Sequence, residues 1–477
     1  MIRSHSDSTG FNRKLIAPMI VGALLNPVNS SIIAVSLVPI GRAFGAPSAQ
    51  TAWLISSLYL ATAIGQPVVG RLVDTFGPRR LFLAGCTLTG IAGLIGTVAP
   101  NLAVLVVARV ILGFGTCAGY PAAMYLIRSE SERTGIASPS NVLTALAVAG
   151  QTISVIGPTA GGLLIGLGGW RTTFAINLPL AAIGLYLGAR RLPKAESRTG
   201  KSDPIDIPGI LLFGAMLTCL LLYLMSPDVG DLYLLALTAA AAIGLTVREL
   251  RVADPFIDLR LLGGNIPLLA TYTRNLLAMT VSYAFLYGFT QWLEDSRDLS
   301  ASQAGLTLLP MSMLAIVVSS LTGRRPEIRG KLIVGAATQL IACCLLLLTS
   351  GSSAIWLLLL LTLILGIPQG LNNLANQNAV YHQADPARIA SSAGLLRTFM
   401  YLGAIIASAA NGAFFGHRAS TTGMHHLAVF LIVIAGLFLL LTLIDRSLAR
   451  VGRESDPAKG NTRAHQHDRP TSSTHRH

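Results

Sequence analysis

Long stretches without a charged residue recur along the whole chain, separated by short loops that hold most of the charges. That pattern leaves few folds open. A helix needs roughly 20 consecutive apolar residues to cross a bilayer. Apolar runs of that length recur here as candidate membrane helices. They fall at about 15–38, 51–69, 80–99, 102–127, 138–166, 172–189, 207–225, 232–247, 266–293, 302–321, 332–349, 354–380, 389–415 and 424–444, which makes fourteen spans.

Composition agrees. Of 477 residues, 52% are hydrophobic and only 12% charged, with a mean hydropathy of +0.62. One soluble core cannot absorb that much apolar sequence. The net charge of +14 raises nucleic acid as a partner. The basic residues are spread over short loops and the tail, however, not gathered on one face. A cytoplasmic N-terminus puts Arg71, Arg79, Arg80, Arg128, Arg190, Arg191, Arg324, Arg325 and many more on the inside, against Arg42, Arg171, Arg297 and Arg418 outside. One miscounted span would flip every later loop and destroy this bias. Both termini are therefore expected in the cytoplasm, with no cleavable signal peptide. Cys86, Cys117, Cys219, Cys343 and Cys344 lie in apolar runs and form no CxxC, so they read as packing residues. The tail carries His465, His467, His475 and His477 and reads as solvated and disordered rather than metal-binding.

An internal repeat follows. Gly70-Arg-Leu-Val-Asp74-Thr-Phe-Gly77-Pro-Arg79-Arg80 follows the second span, and Gly323-Arg-Arg-Pro-Glu327-Ile-Arg-Gly330-Lys331 follows the tenth. Each places an acid four residues after a glycine, a second glycine three later, and a base behind it. Two such loops at equivalent places imply duplicated halves of six spans. Three further patterns stand out: Arg109-Val-Ile-Leu-Gly113-Phe-Gly115, Gly157-Pro158-Thr-Ala-Gly161-Gly162, and Gly169-Trp170-Arg171-Thr-Thr-Phe174-Ala-Ile-Asn177-Leu-Pro179.

With these four patterns the chain resembles the major facilitator superfamily, in particular its fourteen-span drug:proton antiporter branch, over nearly its whole length. The resemblance implies an all-α membrane fold: a tail at 1–13, a six-helix bundle at 14–191, two extra helices within 192–265, a second bundle at 266–445 and a tail at 446–477. It implies that the 70–80 loop latches the halves on the cytoplasmic side, that Arg109 contributes to proton coupling, and that Gly157, Pro158, Gly161 and Gly162 go with export. It also implies a small-molecule substrate, a proton gradient, a bilayer, no cofactor and a monomer, while the Ala-, Leu- and Gly-rich composition suits a bacterial inner (plasma) membrane. Thr75 and Pro78 depart from the usual loop.

The residues carry their own readings. Asp74 is suited to accept bonds from a neighbouring helix start. Arg109, Arg274 and Arg397 lie within apolar helices, where an unpaired charge is expensive. Each is a functional candidate, with a purely structural arginine or snorkelling as the plain alternative. Polar residues that qualify for a central cavity are Asn26, Asn29, Ser30 and Gln151 from the first half, and Asn275, Tyr283, Tyr287, Gln291, Gln369, Asn372, Asn373, Asn376 and Gln377 from the second. Gln369, Asn372 and Asn376 share a helical face.

All 21 acids fall outside the middle of a span, and the first span reads Asn26-Pro27-Val28-Asn29-Ser30-Ser31. An amide cannot cycle a proton. Asp206, Glu294 and Asp295 are the nearest acids. Three arginines and no acid make the cavity potential positive, which favours neutral or anionic substrates. Gly200-Lys201-Ser202 lacks the leading glycine of a phosphate loop, since position 195 is alanine, so a gradient is the expected energy source. An importer and an enzyme are the competing classes. For an enzyme, Gly115-Thr-Cys117-Ala-Gly119 sits mid-helix with no partner in register, and the adjacent His425 and His426 point to different faces.

Overall fold

The computed structural model describes residues 11–449 apart from 34–35, 47, 52, 136–139, 194–205, 226–227, 253–254, 258, 300, 324–326 and 416–418. Lys194, Arg198, Lys201, Arg324, Arg325, Arg418 and the histidine-bearing tail lie outside the described residues. So do the side chains of Gln151, Pro158 and Glu294.

Among the described residues there are fourteen long helices and no strands. The first half holds α1 (Ile16–Ile32), α2 (Trp53–Phe76), α3 (Pro78–Val98), α4 (Leu102–Thr116 and Gly119–Thr134, joined at Cys117), α5 (Ser140–Gly168) and α6 (Asn177–Arg191). Next come α7 (Ile207–Met225) and α8 (Leu232–Arg251). The second half holds α9 (Ile266–Arg297), α10 (Ala301–Thr322), α11 (Arg329–Leu346), α12 (Ile355–Gln383), α13 (Ile389–Phe415) and α14 (Thr421–Ile444). Each falls on one of the fourteen sequence spans. Eleven are long and apolar enough to cross a membrane by length and composition, the other three being α5, α9 and α10.

Local chemistry sets the helix ends. Asn101 Oδ1 accepts from Val104 N (3.0 Å) to start α4, Asn265 Oδ1 from Leu268 N (3.1 Å) to start α9, and Ser420 Oγ from Gly423 N (3.1 Å) to start α14. Gly77, at φ 84°, turns the chain between α2 and α3, a conformation that glycine adopts without strain. Leucines and valines stand exposed on the outer surface, among them Leu94, Val98, Leu163 and Leu321, as expected of helices solvated by lipid.

The two halves are built on one plan. Within the first, α1 packs on α5, α2 on α4, α3 on α4, and α3 on α6. Within the second, α9 packs on α13, α10 on α12, α11 on α12, and α11 on α14. Each pair becomes its counterpart on adding eight to the helix number, so the repeat seen in two loops extends through the packing. The halves meet along two seams, α2 against α13 and α5 against α10, which exchange under the same operation. α7 and α8 pair with each other. α7 also lies on both α2 and α13, where Phe213 and Leu217 join Ala63, Met400 and Tyr401 in one apolar cluster.

Candidate functional site

α1 begins and α14 ends at one face of the molecule, the terminal face. There the end of α2 meets the start of α13. Asp74 accepts hydrogen bonds from Ala390 N (3.1 Å), Ser391 N (2.8 Å) and the Ser391 hydroxyl. One carboxylate of the first half thus occupies the positive end of a helix of the second. Gly70 makes the approach possible: a Cβ there would stand 2.6 Å from Ala390 O and 2.9 Å from Ser391 Cα. Arg79 faces its own half, donating to Ala189 O (2.8 Å) and Leu192 O (3.3 Å) at the end of α6, while Arg80 is exposed. At the second seam Gly323 plays the part of Gly70, its missing Cβ leaving room for the Thr144 side chain of α5. Glu327, the counterpart of Asp74, is exposed, and Gly330 follows it at the start of α11. The residues before α5, which the repeat would place opposite Glu327, lie outside the described ones.

Further contacts between the halves extend inward from this face. Arg128 lies over the Tyr381 ring (5.7 Å) and Thr398 Oγ1 donates to Ala63 O (2.9 Å). Deeper still, Tyr401 OH donates to Asn26 Oδ1 (3.0 Å), and the hydroxyls of Tyr59 and Tyr287 are 3.4 Å apart.

The three intramembrane arginines have different surroundings. Arg109 is buried within its own half, donating through Nε to Leu54 O (2.8 Å) and through Nη1 to Asn29 O (3.3 Å). Its Nη2 is buried with no partner among the described residues. Arg274 is buried at the terminal side, where it pairs with Asp445 just past α14 and donates to Thr271 Oγ1 (2.5 Å). Asp445 lies beyond the last helix. Burial pushes its carboxyl up, but bonds from Ser447 and Arg274 outweigh that and hold it below the usual carboxylate range. Arg397 alone bridges the halves: its guanidinium carbon lies 4.2 Å from the centre of the Tyr120 ring on α4.

The polar set divides in the same way. Asn26 reaches Thr116 Oγ1 (3.1 Å) and Tyr401, so it sits at the seam. Tyr283 and Tyr287 stack at 5.8 Å beside Tyr59. Buried Gln377 donates through Nε2 to Oδ1 of half-buried Asn373 (2.8 Å), on a line along α12 that also carries half-buried Gln369. Three expected cavity residues are committed within a bundle instead. Asn29 forms a reciprocal amide pair with Asn177 of α6 (2.7 and 2.9 Å). Asn372 turns to Gln339 of α11 (3.2 Å), and Arg274 to Asp445. Asn275 and Asn376 face each other (3.5 Å), Asn275 also donating to Leu396 O (3.0 Å). Gln291 is exposed.

The small-residue patterns are packing surfaces. Gly157 is buried where a Cβ would collide with Ser31 of α1, Gly161 is buried, and Gly162 is exposed with nothing near. Gly113 fits against Ala61 of α2 and Gly115 against Thr89 of α3. Two of the acids weighed for proton coupling are engaged elsewhere. Asp206 pairs with Arg248 (2.7 Å) and accepts from Gly209 N (3.0 Å), and Asp295 accepts from Ala419 N (2.9 Å). His425 bonds Thr349 O (2.8 Å), tying α14 to the end of α11.

Tyr59, Tyr120 and Tyr401 complete the seam and were not singled out in the sequence. Their signal was available: each is a phenol in an otherwise apolar run, a side chain whose hydroxyl demands a partner when buried.

This arrangement can be set beside known proteins. The Major Facilitator Superfamily profile matches residues 19–408. An uncharacterized MFS-type transporter of Bacillus subtilis, YwoD, is 33% identical over 88% of this chain and 94% of its own length. The lincomycin resistance protein of Streptomyces lincolnensis is 31% identical over 80% of this chain and 79% of its own. The tetracenomycin C resistance and export protein of Streptomyces glaucescens is 27% identical over 70% and 63%. Among solved structures, the human organic anion transporter MFSD10 superposes with a TM-score of 0.68 at 16% identity, covering 90% of this chain and 99% of that one. The proton:xylose symporter XylE superposes with a TM-score of 0.63 at 14% identity, over 90% and 94%. At such identities these two speak for the fold alone. Repeated halves, the seam between them and the family profile agree, and the chain belongs to the major facilitator superfamily.

Proposed function

We propose that this protein is a secondary active transporter that exports small organic molecules by alternating access, in exchange for protons. The observation that carries the reading is the Asp74 latch. A single carboxylate of one half holds a helix start of the other, at one face, between halves that share a plan. Contacts of this kind are what two rocking bundles break and remake. Export is supported by the names of the resistance relatives and by the likeness of the Gly157–Gly162 pattern to the family's antiporter signature. On this reading the terminal face is cytoplasmic, the protein works as a monomer in a bacterial inner membrane, and no cofactor takes part.

A second reading keeps transport and drops the proton. Among the described residues, no carboxylate is found beside Asn26, Tyr59 or Arg397, and a carboxylate is the usual carrier of a coupling proton. Inside-out vesicles loaded with a pH-sensitive dye separate the two. Antiport requires that some neutral, anionic or cationic compound collapses an imposed proton gradient, and that Asp74→Asn reduces the effect. Compound flux with no proton movement would replace antiport with a facilitator driven by other means.

A further inference from the structure

We propose that Arg397 binds an anionic group of the transported molecule, and that the substrates are organic monoanions with a flat aromatic body. The inference rests on the export reading and names its substrate class.

Arg397 is the intramembrane cation left without an oxygen partner among the described residues. Arg109 has two carbonyls, and Arg274 has a carboxylate and a hydroxyl. The guanidinium of Arg397 carries five N–H donors, and among the described residues its one hydrogen-bond acceptor is the Met400 thioether at 3.5 Å, a weak one. The side chain is half-buried rather than enclosed, so a ligand can reach it. Its flat face is covered by Tyr120, which leaves the N–H edge free, and that edge matches a carboxylate in two-pronged geometry.

The surroundings specify the rest of the ligand. Tyr120 holds the guanidinium on its face, Tyr401 follows Arg397 by one helical turn, and Tyr283 belongs to the cluster that contains Tyr401 and Met400. Tyr59 packs on Tyr401 (5.6 Å), and Tyr283 on Tyr287 (5.8 Å). Two such pairs, with Met279 and Met400 beside them, form a buried cluster whose ring faces and soft sulfur suit a planar apolar body once the seam opens. Asn26 adds an amide for orientation. A cationic ligand would meet a fixed positive charge here, with no described carboxylate to offset it. The placement also bears on energetics: an inside-negative membrane favours the outward movement of an anion, which needs no proton-carrying acid at the seam.

The test uses three compounds that share one ring system: 1-naphthoate, the neutral 1-naphthamide and the cationic 1-naphthylmethylammonium. Inside-out vesicles holding the wild-type protein should accumulate naphthoate at least about ten-fold over naphthamide, relative to vesicles without the protein. Arg397→Gln should collapse that ratio, and Arg397→Lys should keep part of it. The purified proteins give a readout independent of transport: naphthoate should raise the melting temperature of the wild type and of Arg397→Lys, but not of Arg397→Gln. Equal uptake of all three compounds, or an unchanged ratio in Arg397→Gln, overturns the assignment and leaves export standing. Failure of all three to move or to shift melting also overturns it, and the proton-gradient assay then decides on export separately.

Discussion

Asp74 and Ser391 are joined twice, once through the Ser391 backbone N–H at 2.8 Å and once through its hydroxyl. The two residues belong to different halves, and no covalent path shorter than most of the chain connects them. On the alternating-access proposal, the bond gauges whether the terminal face is shut. Removing the charge with Asp74→Asn should cost about 1 kcal/mol at a helix start. That corresponds to about a five-fold shift toward the separated state. Spin labels near the ends of α2 and α13 would report it as a longer distance. An unchanged distance distribution would mean that other contacts close this face.

Gly70 and Gly162 should respond to alanine in opposite directions. At Gly70 the new Cβ would meet the backbone of Ala390 at 2.6 Å, which cannot rotate away, so the seam must open. A destabilisation of about 1–3 kcal/mol is expected. At Gly162 the Cβ enters open space within a helix, where alanine is better than glycine by up to about 1 kcal/mol. Melting of the purified variants checks both, and equal melting temperatures would contradict the close fit at Gly70.

The Arg274–Asp445 pair should leave a signature at low pH. Asp445 is held below its ordinary range in the folded protein, so its contribution is present above the unfolded carboxylate value, near 4. It is lost as the pH falls through the still lower folded value. Between pH 5 and 8 the pair adds no slope. Below about pH 4 the wild type should lose stability faster than Asp445→Asn. Arg274→Met should be milder than Asp445→Ala, because the latter strands a fully buried cation. Parallel acid melting curves would remove the pair from the account.

The Asn29–Asn177 amide pair should couple α1 to α6. Each side chain is both donor and acceptor for the other, at 2.7 and 2.9 Å. A double-mutant cycle to alanine should return an interaction energy of about 0.6–1.7 kcal/mol, the range found between membrane helices. A value near zero would show that each amide finds a substitute partner.

How far the sequence foretells this molecule depends on which force is at work. The fourteen helices were legible because the bilayer imposes length, apolarity and charge-free interiors at once. Asp74 and Gly70 stood out as a meeting place for the halves because they recur as Glu327 and Gly323, and the structure puts Asp74 and Gly70 against the start of α13. Which way a polar residue faces was not. In a membrane bundle both flanks of a helix can touch protein, so helical period groups Gln369, Asn372 and Asn376 without saying that Asn372 turns to α11. Asn29 reads like Asn26, three residues away, yet one meets α6 and the other meets Tyr401. Arg274 seemed exposed to a cavity because its partner, Asp445, lies outside any span, and only the packing of α9 on α14 brings them together.

α7 lies across one seam only. It touches α2 of one half and α13 of the other, while the described helices leave the α5–α10 seam without a similar cover. Lipid replaces lipid-like packing at little cost, so α7 adds few calories to the fold. If the two halves rock as proposed, this one-sided cover acts as a brace on the α2–α13 seam, and the α5–α10 seam is the one expected to swing wider.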